Sequence, residues 1–252
     1  MKLKWYGTAS VEIENLTGRI LFDPFVPLKG SDVDTVIGDY DGFSDIFITH
    51  GHLDHIVNIA EIVKRNPSAT VYCTKTPYAT LSKKGVAKEN LRLIEYGQRL
   101  SVNGFEIAVF HGKHTFIPKV TPRLVMSYVL TRYFFNAPFL LKENRSCKEN
   151  DESVFYHIEC DGKSVSLIGS MNLRGDVEYP VGADAMILPY NGWGDIFPQA
   201  VEIIGRLHPK RVFLDHYDVT FPPLTKPIDL SPMTDRFGEY VRPLEHKKEE
   251  EI

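Results

Sequence analysis

The chain has 252 residues, 43% hydrophobic and 25% charged, with a formal net charge of −4 and an isoelectric point near 6.1. That balance fits an ordinary globular enzyme of one large domain or two small ones, and it argues against the basic field of a nucleic-acid binder. Cys73, Cys147 and Cys160 are odd in number and lack CxxC spacing, which excludes a disulfide framework or cysteine zinc ribbon and favours a reducing cytosol. Met1–Tyr6 lacks the apolar core of a signal peptide, and no apolar run approaches 18 residues, so a cytoplasmic protein with no membrane partner is expected.

Three short strands are expected at Lys2–Tyr6, Ser10–Glu14 and Arg19–Phe22, separated by the turn signals Gly7-Thr8 and Thr17-Gly18, and Asp23-Pro24 stops the third. Asp45–Thr49 reads as a buried strand. Ile56, Ile59, Ala60, Ile62 and Val63 then recur at helical spacing until Asn66-Pro67. A strand over Ala69–Cys73, a short helix over Pro77–Lys84 closed by Gly85, and a strand over Leu91–Glu95 follow. From Arg99 to Phe110 two strands surround the turn Asn103-Gly104, with Phe105, Ile107 and Val109 on one face. Residues 116–151 break this rhythm. The apolar and aromatic stretch Leu124–Leu141, with Tyr128, Tyr133, Phe134, Phe135 and Phe139, precedes the polar Lys142–Glu152. A core helix pair, a lid over the site and a contact for a homo-oligomer all remain open for it.

Val154–Cys160 and Ser164–Ile168 flank the hairpin signal Asp161-Gly162. Ala185–Leu188 is a strand, Phe197–Leu207 a helix, and Arg211–Leu214 the last clear strand. The terminal charge run His246–Glu251 reads as a solvated, frayed end. Strands interleaved with helices, but opening on a meander, predict an α/β fold of two sheets sandwiched between helices.

The densest chemistry is His50-Gly51-His52-Leu53-Asp54-His55, directly after Asp45–Thr49. Three imidazoles and a carboxylate in six positions are a concentrated supply of metal ligands. Gly51 and the position after a strand predict a loop rather than a helix, unlike HExxH. In an extended loop residues i and i+2 point the same way, so His50 and His52 can grip one ion while Asp54 and His55 face a neighbouring position. Such a split suits a two-metal site that acidifies water. No G-x-S-x-G elbow, P-loop or GxGxxG offers an alternative chemistry.

With this motif the chain resembles the metallo-β-lactamase fold superfamily, whose signature is HxHxDH after a strand. The match spans nearly the whole chain: opening strands, Asp23-Pro24-Phe25, the HxHxDH loop, a later strand-end His, a Gly-acid turn and a terminal strand-end His appear in family order. Within the superfamily the likeness is to small metal-dependent hydrolases related to ascorbate-6-phosphate lactonase. The resemblance implies one domain over 1–252 folded as a four-layer αββα sandwich, with residues 116–151 inserted. It assigns His50, His52 and a third His to one metal. His111 and His114 compete for that place; the strand end favours His114, leaving His111 behind the ligands or at a gate. The second metal would take Asp54, His55 and His216, with Asp54 also orienting the water or carrying its proton. His157 is expected to be structural and His208 a helix C-terminal cap.

One position departs from the pattern. Where the family has a bridging Asp, the turn here is Gly169-Ser170-Met171-Asn172. Ser170 is neutral and a weak ligand, so one ion should be held tightly and the other weakly, unless Asp176 or Asp215 substitutes. Loss of catalysis, leaving a ligand-binding protein on the same fold, is a further outcome. One or two Zn²⁺ fit the imidazoles, and Mn²⁺ or Fe²⁺ would be tolerated.

The expected activity is metal-assisted hydrolysis. The loop Pro189–Asp195 borders the mouth by this resemblance, where Tyr190 and Trp193 would stack on a substrate or simply pack. Lys113, Lys119 and Arg123 would meet an anion or remain solvated. The expected substrate is a small phosphorylated or lactone-like metabolite. A phosphodiesterase acting on RNA or DNA is the alternative, disfavoured by the acidic balance.

Overall fold

The computed structural model describes residues 1–115, 134–191, 195–222 and 224–252. Two seven-stranded sheets lie face to face. The first contains β1 (Lys2–Trp5), β2 (Val11–Glu14), β3 (Arg19–Phe22), β4 (Asp45–Phe47), β5 (Thr70–Cys73) and β6 (Leu91–Leu93), with β14 (Glu249–Glu251) added outside β1. The second contains β7 (Arg99–Val102), β8 (Phe105–His111), β9 (Val154–Cys160), β10 (Lys163–Ile168), β11 (Ala185–Pro189), β12 (Val212–Asp215) and β13 (Val241–Pro243), in spatial order from one edge to the other. Each sheet is half antiparallel meander and half parallel. Pairing turns parallel from β3 to β6 and from β10 to β13.

Alternation along the strands builds three apolar layers. Phe22, Phe47 and Tyr72 meet Tyr156, Ile187 and Phe213 between the sheets. Leu21, Ile46 and Val71, on the opposite face of the first sheet, pack under Ile59, Ile62 and Leu81. These belong to helices α2 (Ile59–Arg65) and α3 (Lys75–Lys83), joined there by α4 (Ala137–Ser146). Met186, Leu188 and Leu214 pack under Ala200, Ile203 and Leu207 of α5 (Phe197–Leu207) and Met233 of α6 (Ser231–Phe237). Burial on both faces explains why these strands read as continuous apolar runs. The result is the expected αββα order.

Several elements differ from the sequence reading. The C-terminal charge run is not frayed: Glu249, Glu250 and Glu251 pair antiparallel with Lys4, Leu3 and Lys2, and the Lys2 ammonium meets Glu249 at 2.9 Å. Positive side chains on β1 neutralise the glutamates, which lets their backbone complete an edge strand. Beyond Arg211–Leu214 a further helix, α6, and a further strand, β13, follow. The metal-ligand motif is not wholly a loop, because Leu53–Ile56 forms a single helical turn, α1. Of the inserted segment, residues 116–133 lie outside the described residues, as do Trp193, Lys119, Arg123, Tyr128 and Tyr133. Its described remainder contains one α-helix, and the core helix pair read for Leu124–Leu141 falls mostly outside the described residues. Phe139 and Leu140 of α4 pack on the outer layer, while Phe134, Phe135 and Leu141 stay exposed. No described helix is long and apolar enough to cross a membrane.

Candidate metal centre

Every sequence-predicted ligand lies just past the carboxyl end of a strand, along one rim of the sandwich. Thr49-His50 follow β4, His114 follows β8, Gly169-Ser170 follow β10 and His216 follows β12. The rim is stitched across the two sheets. The Val154 N–H donates to the Thr49 carbonyl at 2.8 Å, and the Tyr156 hydroxyl donates to the Ile48 carbonyl at 2.7 Å.

His52 ends the extended approach and serves as N-cap of α1, so the chain turns sharply after it. His50 and His52 therefore face one way, and the helical turn carries Asp54 and His55 to an adjoining place. Gly51 is required for a steric reason: a Cβ there would stand 2.0 Å from the Lys148 carbonyl oxygen. The stretch after α4 thus packs directly on the motif.

Two groups of donors result: His50, His52 and His114, then Asp54, His55 and His216, the ligand atoms of each lying within 4.8 Å of one another. Ligands about a tetrahedral zinc at ~2.0–2.1 Å stand roughly 3.3 Å apart, so both groups fit a cation with small adjustments. His50 Nε2 and His52 Nδ1 already approach to 3.1 Å. Most rings are anchored from behind. His50 Nδ1 meets the Thr49 hydroxyl at 3.0 Å, His114 Nδ1–H donates to the Thr115 carbonyl at 2.6 Å, and His55 Nδ1–H donates to Asp23 at 2.8 Å. Each contact leaves the other ring nitrogen for a ligand, as metal sites require.

Asp23 is the residue that sequence reading passed over as a strand stop. Its carboxylate accepts from the Thr49 N–H at 2.8 Å, from the Thr49 hydroxyl and from His55, from a left-handed backbone with φ +42°. The unfavourable backbone persists because three hydrogen bonds hold it. His216 is left-handed too, at φ +58°, with its N–H donating to the Thr8 carbonyl at 2.9 Å and Thr8 in turn bound to Asp218. Position in the Asp23-Pro24-Phe25 motif was the only available sign of Asp23's role.

The electrostatics divide the groups. Burial and the neighbouring imidazoles push His50 well below the ordinary histidine value and His52 down to about 3; burial also lowers His114. These three rings are neutral at pH 7 and ready to ligate. Burial opposes charge on His216 as well, yet its 3.2 Å contact with Asp54 outweighs that and raises it to about 9. His55 is likewise raised against burial by Asp23 and Asp54, and these imidazoles hold the buried Asp54 carboxyl below its usual range. The second group is an internal ion-pair cluster.

The remaining candidates stand apart. His111 donates Nε2–H to the Asp151 carbonyl at 2.8 Å and stacks on Tyr96 at 4.1 Å, outside both groups. Asp176 is exposed and paired with Arg174, so it cannot replace a bridging carboxylate. Asp215 is buried, pushed up to about 7 by burial, and its Oδ1 has no hydrogen-bond partner among the described residues, but it too lies outside both groups. Tyr190 is buried in the layer under α5, a packing role. Lys113 is exposed. His157 is buried against the Ser166 hydroxyl within the second sheet, and His208 caps α5 with φ +46°, both as expected.

Residues 18–138 match a family model described as a β-lactamase superfamily domain. With this rim of ligands on an αββα sandwich, the chain has the metallo-β-lactamase fold and is similar to that superfamily over the matched residues. It is similar to a UPF0173 metal-dependent hydrolase of Caldivirga maquilingensis, 26% identical over 95% of this chain and 92% of that one. A second relative so named, from Methanocaldococcus jannaschii, is also 26% identical, over 87% and 85%. Among solved structures, Igni18, a metallo hydrolase from Ignicoccus hospitalis, superposes with a TM-score of 0.66 at 20% identity, covering 100% of this chain and 98% of its own.

Proposed function

We infer that the chain is a metal-dependent hydrolase and propose that its substrate is a small anionic metabolite, a phosphate ester or a lactone bearing a negative group. The observation that carries the first part is the convergence of six donors from three separate rim segments into two compact groups. A divalent cation held there acts as a Lewis acid and lowers the pKa of a coordinated water toward neutrality. His50, His52 and His114 would hold one such ion, and Asp54, His55 and His216 a second. Imidazole-rich donors suit Zn²⁺, and the carboxylate group also tolerates Mn²⁺ or Fe²⁺.

Asp54 is the residue to accept a proton as water attacks. It is buried, it is held ionised by His55 and His216, and it borders both groups, its charge reaching His52 as well. Substrate charge follows from the same count. Asp54 is the only carboxylate in either group, so two dications leave the rim strongly positive. Lys148 adds to this: its ammonium is among the charges that hold His52 down. An anionic group on a substrate would offset that excess. The net charge of −4 and the absence of a basic stripe in the sequence weigh against nucleic acid.

The test is hydrolysis by the zinc- or manganese-loaded protein of phosphate monoesters, anionic lactones and single-stranded RNA. Turnover of a small ester or lactone that disappears in His52→Ala is expected. Turnover of RNA alone would make the protein a phosphodiesterase. Metal binding without turnover of any compound would favour a ligand-binding protein on the same fold.

A further inference from the structure

Ser170 stands where the family pattern calls for the carboxylate bridging two ions, yet its surroundings give it a different task. The Gly169 turn presses into the rim: a Cβ at Gly169 would stand 2.5 Å from the Thr49 Cβ and 2.6 Å from the Val154 carbonyl oxygen. This delivers the buried Ser170 hydroxyl to the Thr115 backbone, where it accepts the N–H at 3.1 Å. The Thr115 carbonyl in turn accepts Nδ1–H of His114 at 2.6 Å. Two hydrogen bonds therefore link Ser170 to the ring of His114 through the backbone of a single residue, Thr115. A second tether joins the Thr115 hydroxyl to Gln199 of α5 at 3.3 Å.

Given that the two groups hold cations, we infer that Ser170 is a positioning residue for His114 rather than a metal ligand. It completes the imidazole group and in doing so leaves no anion between the two sites. Neither Asp176, exposed beside Arg174, nor Asp215, outside both groups, supplies the missing charge. The first cation is thus bound by three neutral, pre-oriented imidazoles. The second must be taken by Asp54, His55 and His216 alone, against the ion pairs they already form.

The prediction separates two substitutions. Ser170→Ala leaves the Thr115 N–H without its buried acceptor and loosens His114, so the first zinc should bind about tenfold more weakly. Ser170→Asp keeps an acceptor for that N–H and adds the missing charge. It should leave the first zinc within about threefold of wild type and convert the second from weakly to tightly held.

The measurement is stepwise zinc affinity of the metal-stripped full-length protein by competition with a chromophoric chelator. The visible spectrum of the Co²⁺-loaded protein reports geometry at the imidazole group, and thermal unfolding of the metal-free variants controls for folding. A changed Co²⁺ spectrum and weaker first step in Ser170→Ala, in a metal-free variant that still unfolds cooperatively, support the role. A first step unaltered in Ser170→Ala, or a second step lost in that variant instead, would overturn it and make Ser170 a spectator or a ligand. Unchanged zinc stoichiometry in Ser170→Asp would refute the missing-anion account. Should wild type bind no zinc in either step, the metal-centre reading falls first and this inference with it.

Discussion

The two donor groups share one rim and one sequence motif but are built of opposite materials. His50, His52 and His114 are neutral rings with depressed proton affinity, while Asp54, His55 and His216 are mutually charged and extend their pairing to Asp23. A cation entering the first group displaces almost no protons. One entering the second must expel protons from imidazoles that carboxylates have made more basic. Adjacent positions in a single hexapeptide should therefore load unequally, the difference lying in which carboxylates stand behind the rings.

The comparison breaks most visibly at its strongest side. His52→Ala removes one of three imidazoles, and first-site zinc affinity and hydrolysis should both fall by more than the roughly 10–100-fold typical of losing a residue behind a ligand. Equilibrium dialysis with elemental analysis, alongside turnover, reads the outcome. Asp23→Asn sharpens the contrast: it should weaken the second ion by roughly 10–100-fold and the first much less, because Asp23 meets His55 directly but reaches His50 only through the Thr49 hydroxyl. Equal loss at both sites would show that the groups are one unit.

A smaller effect separates the groups by pH. Between pH 6.5 and 9 the second binding step should tighten by about tenfold per unit for each proton released, given His216 raised to about 9. The first step should be nearly flat, since His52 titrates near 3. Calorimetry in buffers of differing ionisation enthalpy counts the protons. The smallest effect concerns the metal-free protein. A histidine raised in the folded state stabilises fully below its unfolded value near 6.5, and that contribution is lost as pH rises through about 9. The metal-free unfolding temperature should therefore decline across that window, and less so in Asp54→Asn, which lacks the partner.

The site was legible where function is written locally. Histidines at i and i+2 after a buried strand announce a shared ion, and His216 was reachable because it follows a strand whose apolar run is plain. Asp23 was not, since its role exists only when β3 and β4 lie side by side and bring it to Thr49. Ser170 was visible as a departure, but its bond to Thr115 joins residues 55 positions apart. The αββα order followed from the interleaving of strands and helices. The C-terminal strand did not, because three glutamates read as solvent-loving until β1 places Lys2 and Lys4 opposite them. The helical turn inside the motif escaped notice because four residues are too few to show a period.

The central claim is that three imidazoles from two separate rim segments enclose one cation. Diffraction from zinc-loaded crystals at the zinc absorption edge tests it directly. A strong anomalous peak about 2.0–2.1 Å from ring nitrogens of His50, His52 and His114, with a weaker peak at Asp54, His55 and His216, is the predicted result. Zinc found elsewhere on the chain, with nothing between those three rings, would contradict it.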